Sequence, residues 1–526
     1  MINNLVSDAL LMPQIYDEIG IAGAYMEELK RQWLKAEQGT IHAPYPATGR
    51  LMARLKDKPQ EWEQARWLLG NLPKIPAFGD SQQQPFAIHE LFLIKEFLFH
   101  YSQLQLFSQR TRLFGRALPD LSPIFTRLDP EGSASPTFLL GPAFGKDLAS
   151  VGARRLELER QLEAARNAHL EKAAAQLEVS QPLQEFIVPR SDKKLCHKLN
   201  HSNHFALVSE SVANLRFRLR DDAASLKILK QLDKLEERRI RAENKALERL
   251  SLYLWRQLPR FLMALRHLQK AALHFILADF ACRFDCIIPN LGAANIRIKG
   301  AINLPLKRHL DKQGRRYQPI DLMFEARGNL ITGPNMGGKS CALQTLGQLA
   351  RLSQLRVPLP CEKAQLPHFD NIWLNQDDAS QGADLSAFGQ EVVSFGTALE
   401  MPGRTLILLD EFARGTNPSE GEALLCAVLR YLSASEHFVV AATHFTAPAL
   451  LSELAQFAIA GPNLDDILQK DIAGLSPTQR LRLFSQNMDY RLKRLAKGKK
   501  PPHSAIAVAR LLGFDEDILS LINTKG

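Results

Sequence analysis

The chain has 526 residues, of which 45% are hydrophobic and 23% charged, with a formal net charge of +10 and a pI near 9.2. This composition excludes a disordered or fibrous protein, leaves room for two to four domains with a full core, and favours an anionic partner. The six cysteines, at 196, 282, 286, 341, 361 and 426, form no framework and no C-x-x-C pair, which excludes a disulfide scaffold, and the Cys282/Cys286 spacing has no nearby partners for zinc.

At the N-terminus, Asp8 interrupts the first apolar stretch and no basic segment precedes it, so no secretion signal is expected. Residues 1–150 read as an all-helical part, broken by "HAPYPATG" and "FGDSQQQP". From 151 to 260 the pattern becomes two long charged helices. In the first, Leu158, Leu162, Ala165 and His169 form one stripe, and the partner runs over 226–255, as expected of an antiparallel pair of arms.

Between the arms, over about 183–220, the period falls from 3.6 to 2. "EFIVP", "HFALVSE" and "NLRFRLR" read as strands of a small β tip. Leu215, Phe217 and Leu219 fall on one face and Arg216, Arg218 and Arg220 on the other, with Lys193 and Lys194 near in sequence. That basic face suits a nucleic-acid backbone. It equally suits a solvated β edge guarded by arginines.

Residues 261–295 are a return helix and connector. The most apolar helix, 262–281, carries Arg266, His267, Lys270 and Asp279, which argues against a membrane span. No membrane association and a cytoplasmic location are expected.

The segment 296–485 carries the chemistry. Gly333 to Ser340 fits G-x-x-x-x-G-K-[ST] between an apolar run and a helical one, the setting of a phosphate-binding loop. Gly333, Pro334, Asn335, Met336, Gly337, Gly338 and Cys341 would shape the cradle for ATP, Lys339 would reach the β- and γ-phosphates, and Ser340 would ligate Mg2+. "TLILLDE", 405–411, reads as a buried parallel strand tipped by two acids. Asp410 would hold Mg2+ and Glu411 would activate the attacking water. "FVVAATH" ends in His444, placed to sense the γ-phosphate. Between these lies "DLSAFGQEV", matching the L-S-x-x-G-Q pattern of ABC-type ATPases, in which Ser386 would close over the nucleotide of the opposite subunit. Past these motifs, the basic run 491–500 is either a phosphate-contacting loop or a solvated linker.

"TGPNMGGKS", "LLDEFARGTNPSEG" and "ATHF" resemble the ATPase domain of the MutS family, and the likeness continues through "NMDYRLKR" to "HSAIAVARLLGFDEDIL". "LDPEGSASP", at 128–136, looks like the short branch of that family. The resemblance implies an α/β P-loop ABC-type ATPase domain, with a mixed, mainly parallel sheet and flanking helices, joined to an all-helical lever domain with long antiparallel arms and a small β tip. It implies a closing helical dimerisation segment over 486–526 and a homodimer, or a heterodimer with a related subunit. It also implies that Tyr317, before "P-x-D-L", stacks on adenine. Cys341 replaces a usual threonine and Ala413 a usual glycine.

The first 150 residues lack the Phe-x-Glu pair by which mismatch-reading members probe a base, and no Smr-type nuclease domain is expected past the closing helices. Two readings follow: an ATP-driven clamp on DNA that recognises backbone or structure, or a protein-remodelling ATPase akin to the MutS-like reactivases of cobalamin-dependent aminomutases.

Overall fold

A computed structural model describes residues 2–35, 44–75, 84–114, 118–177, 183–325, 328–333, 338–375, 387–462, 479–480, 488–496, 514–515 and 518–519. The chain divides into two compact units, one of Asn71–Arg110 with Ala117–His267, the other of Met1–Gly70, Thr111–Arg116 and Leu268–Gly526. The sequence-expected N-terminal helical part is thus shared between them.

In the first of these units, the helix Lys146–Leu177 has 32 residues and the helix Ala223–Arg283, which continues into the other unit, has 61. Arg166 pairs with Asp221, whereas Arg154, three turns earlier, meets Gln231, further along the second helix. The two helices therefore run in opposite senses, and Leu158 and Leu162 are buried along the seam.

Between them lies a three-stranded antiparallel sheet of β1 (Glu185–Pro189), β2 (Phe205–Glu210) and β3 (Asn214–Leu219), in the order β1-β3-β2. Alternation decides which face is covered. Phe186, Val188, Phe205 and Phe217 bury themselves against Leu170, Ala173 and Leu177 of the arm, while Arg216 and Arg218 are exposed. Elsewhere in this unit Asp129, at the head of "DPEGSASP", accepts hydrogen bonds from Ser133 Oγ, Ala134 N and the buried Lys95 Nζ, at 2.7, 2.9 and 2.9 Å. Burial alone would raise its pKa, but these donors outweigh it and hold the carboxyl at about 2.

The other unit has two sheets among the described residues. A four-stranded one contains β4 (Asn290–Leu291), β5 (Ile296–Ala301), β6 (Ile320–Phe324) and β8 (Lys363–Leu366), in the order β4-β8-β5-β6. The six-stranded one runs β13-β12-β7-β11-β10-β9, from β7 (Gly328–Thr332), β9 (Asn371–Leu374), β10 (Thr405–Asp410), β11 (Phe438–Ala442), β12 (Ala455–Pro462) and β13 (Met488–Arg494). All its neighbours pair in parallel except the edge pair of β12 and β13. Such central strands are covered on both faces, and so β7 and β11 are buried at every position. Ile407, Leu409, Val439 and Ala441 pack with Phe412, Leu425 and Leu429, the last two from the helix Pro418–Ala434.

The N-terminal helices dock on this unit. Gln344 and Gln348, on the helix Lys339–Gln354, donate to Ala9 O and Leu10 O at 3.0 and 2.9 Å. Gly347 on the same helix leaves the notch for Leu10, because a Cβ there would lie 2.4 Å from Leu10 Cδ2. No helix among the described residues is long and apolar enough to cross a membrane.

Candidate functional site

Parallel strands end on one side of the sheet, and loops leaving those ends can converge on a ligand. Here β7, β11 and β10 are consecutive neighbours. They deliver Gly333, His444 and the Asp410/Glu411 pair to the same end of the sheet.

The loop leaves β7 at Gly333, with φ 145, and enters the helix at Gly338, with φ 91. Both values favour glycine. At 338 a Cβ would also meet the Tyr490 ring at 2.9 Å. Pro334, Asn335, Met336 and Gly337 lie outside the described residues, as does Ser386.

Lys339 is buried, and its Nζ donates to Gly333 O at 2.9 Å while lying 3.7 Å from Glu411 Oε1. The other oxygen, Glu411 Oε2, is 2.5 Å from His444 Nδ1. One carboxylate thus bridges an ammonium and an imidazole drawn from three separate elements. Ser340, Cys341, Asp410, Glu411 and Arg414 line a cleft of about 690 Å³. Burial pushes the Cys341 thiol up, which keeps it in its protonated, poorly nucleophilic form.

Tyr317, expected to stack on adenine, stands just before β6. It is half-buried and its hydroxyl accepts from Asn303 N at 2.8 Å, and burial pushes its pKa up to about 12. Asn303 in turn caps the helix Leu304–Lys312, so the phenol braces a helix start beside the cleft. At the tip, Arg216 is ion-paired with Glu185, and Arg220 Nε donates to Phe205 O at 3.1 Å. Lys193 and Lys194 occupy the first turn of the helix Lys193–Asn200, both exposed.

Motif reading passed over three residues: Asn375, just past β9, and Glu391, on the helix Ala387–Leu399, which line the cleft, and Tyr490 on β13, which packs beside Gly338. Asn375 Oδ1 accepts from Asp410 N at 2.5 Å, and Glu391 Oε2 accepts from Ala413 N at 3.0 Å. A polar residue ending the apolar "NIWL" was the available signal for the first; for Glu391 it was a lone acid just after "SAFGQ".

Residues 329–523 match the family model described as MutS domain V. Over that region the chain carries a MutS-type domain. Among curated MutS proteins, it is 28% identical over 251 residues to the Endonuclease MutS2 of Caldanaerobacter subterraneus subsp. tengcongensis, covering 47% of this chain and 29% of that one. It is 30% identical over 261 residues to the Endonuclease MutS2 of Finegoldia magna, covering 48% and 30%, and 32% identical over 232 residues to that of Caldicellulosiruptor saccharolyticus, covering 43% and 27%. The matched region is thus under a third of those MutS relatives' own length.

Proposed function

We propose that the chain is a MutS-type ATPase that hydrolyses ATP at two composite sites of a dimer and so opens and closes its helical arms on DNA. The observation that carries the ATPase reading is the convergence of Lys339, Glu411 and His444 at the glycine loop. Lys339, now on Gly333 O, turns to the β- and γ-phosphates when ATP enters. Glu411, released from the ammonium and still held by His444, takes the proton of the attacking water. Backbone N–H groups of 333–340 and the dipole of the helix behind them stabilise the phosphate charge.

Ser340 and Asp410 face the same cleft and would hold Mg2+; a hydroxyl and a carboxylate are the hard oxygen ligands it takes, the rest coming from phosphates and water. Among the described residues no group of three His, Cys, Asp or Glu gathers for a metal, and a magnesium shared with a nucleotide requires none. When bound, the ion neutralises charge developing on the phosphates.

Support for DNA comes from the tip. Lys193 and Lys194 crowd a helix N-terminus, where cations oppose the helix dipole, a cost that an incoming phosphate would offset. The named MutS2 relatives are endonucleases, which favours the same reading. Favouring a protein partner instead, Val212, Ile187 and Val208 of the tip are 99%, 66% and 55% exposed.

The test is ATP turnover by the purified chain, abolished with nucleotide binding in Lys339→Ala, together with affinity for mixed-sequence and branched duplexes across a salt series. Several phosphate contacts give a steep fall of affinity with salt. Turnover without any DNA affinity would transfer the reading to the protein-remodelling class.

A further inference from the structure

The backbone that carries Asp410 and Glu411 turns through two left-handed residues, Glu411 at φ 52 and Ala413 at φ 62. Neither is glycine, and such positions persist only where their surroundings hold them. Three sets of hydrogen bonds do so. Glu411 N donates to Ala442 O at 2.8 Å. The Asn375 side chain clasps the peptide groups of Asp410, with Oδ1 accepting from its N at 2.5 Å and Nδ2 donating to its O at 2.8 Å. Glu391 completes the set: its Oε1 accepts from Asn375 Nδ2 at 2.8 Å and its Oε2 from Ala413 N at 3.0 Å.

Glu391 belongs to neither the catalytic strand nor its loop. It projects from the helix Ala387–Leu399, which begins one residue after Ser386. We infer that Glu391, acting with Asn375, is a positioning residue that ties the helix following Ser386 to the backbone bearing Asp410 and Glu411, so that a subunit's own acids are aligned by the helix that serves its partner's nucleotide. This rests on the composite-site reading given above.

The chemistry of the link admits one arrangement. Both hydrogens of the Asn375 amide are spent, one on Asp410 O and one on Glu391. Both carboxylate oxygens of Glu391 face N–H donors, so only an acceptor on each side satisfies the site. A glutamine would turn an NH2 toward another N–H and break one of the two bonds. The usual glycine of the MutS family at 413 would take the left-handed turn without strain; with alanine, the turn depends on the tether.

The experiment uses the full chain. In Glu391→Gln, ATP affinity should stay within a few-fold of wild type while kcat falls about 10- to 100-fold, the cost of displacing a reacting group by about 1 Å. Adding Ala413→Gly to Glu391→Gln should restore much of kcat, because glycine holds the turn untethered. Asn375→Leu, of similar size but without the hydrogen bonds, should repeat the kcat loss should the first variant not fold. A wild-type kcat in either folded single variant overturns the inference. So does a kcat loss accompanied by equal loss of ATP affinity and melting temperature without recovery in the Ala413→Gly background, since Glu391 would then be only structural. Absence of turnover in the wild-type chain would instead strike the ATPase reading itself, and this inference with it.

Discussion

Replacing Glu411 by Gln removes one negative charge from between Lys339 and His444 and leaves the shape of the side chain intact. Before ATP arrives, Lys339 Nζ lies 3.7 Å from Glu411 Oε1, with only 6% of the lysine side chain and 19% of the glutamate exposed. A unit charge pair at that distance is worth about 4 kcal/mol at an effective dielectric constant of about 20, and desolvation of the two groups takes back much of it. Roughly 1–2 kcal/mol of the nucleotide-free state then rests on the pair. ATP has to break it, whereas the glutamine variant has nothing to break. Its ATP affinity should therefore rise by about 5- to 30-fold. Hydrolysis should move the other way by about 10²- to 10⁴-fold, the usual worth of a general base. Titration of a fluorescent ATP analogue with magnesium reads the first effect, and single-turnover phosphate release the second. Weaker ATP binding in Glu411→Gln, or phosphate release within a few-fold of wild type, would remove Glu411 from the role of base.

Three further outcomes follow from separate parts of the molecule. Changing Arg216, Arg218 and Arg220 together to Ser should weaken DNA binding alike across sequences and flatten its salt dependence by about 1 in log–log slope for each phosphate no longer neutralised; unchanged affinity would assign the tip to a protein partner. Mixing a Ser386→Arg subunit with a Lys339→Ala subunit should partly restore hydrolysis, because one of the two composite sites then carries neither lesion, and light scattering should detect ATP-dependent dimers; failure of both means that the sites are not shared between copies of this chain. Asp129, held at about 2 against an ordinary 3.8, contributes stability that is fully present above about pH 4 and lost as pH falls through about 2, on the order of 2 kcal/mol. The gap in thermal stability between wild type and Asp129→Asn, followed by circular dichroism, should accordingly close over that range, and a gap independent of pH would show that the carboxylate charge is not what matters.

What the sequence makes legible depends on how local the cause is. β7 and β11 are buried at every position, so "FVVAA" is apolar without interruption and can be read as a central strand, while "GNLIT" keeps an apolar centre between the buried Asn329 and Thr332. The tip strands write their covered face as a period of two, and Phe217 is buried where the alternation puts it. Gly333 and Gly338 announce a turn because glycine is what left-handed backbone favours. Tyr317 is legible in part: its place before "P-x-D-L" is visible in the sequence, while the partner of its hydroxyl, Asn303, is set by the tertiary fold. The Asn375 and Glu391 clasp is silent, since hydrogen bonds between residues 35 and 22 positions apart leave no period in the chain. Gly347 makes the difference physical. Read locally, a glycine in mid-helix is a defect costing about 1 kcal/mol against alanine, and nothing nearby explains it. Its reason lies more than three hundred residues away, where Leu10 enters the space a Cβ would occupy and Gln344 and Gln348 hold Ala9 O and Leu10 O. Alanine at 347 would improve the helix and obstruct the seat of the N-terminal segment. Because Ala9 and Leu11 line the same cleft as Ser340 and Asp410, a change there would reach the proposed nucleotide site through packing alone, with no motif residue altered.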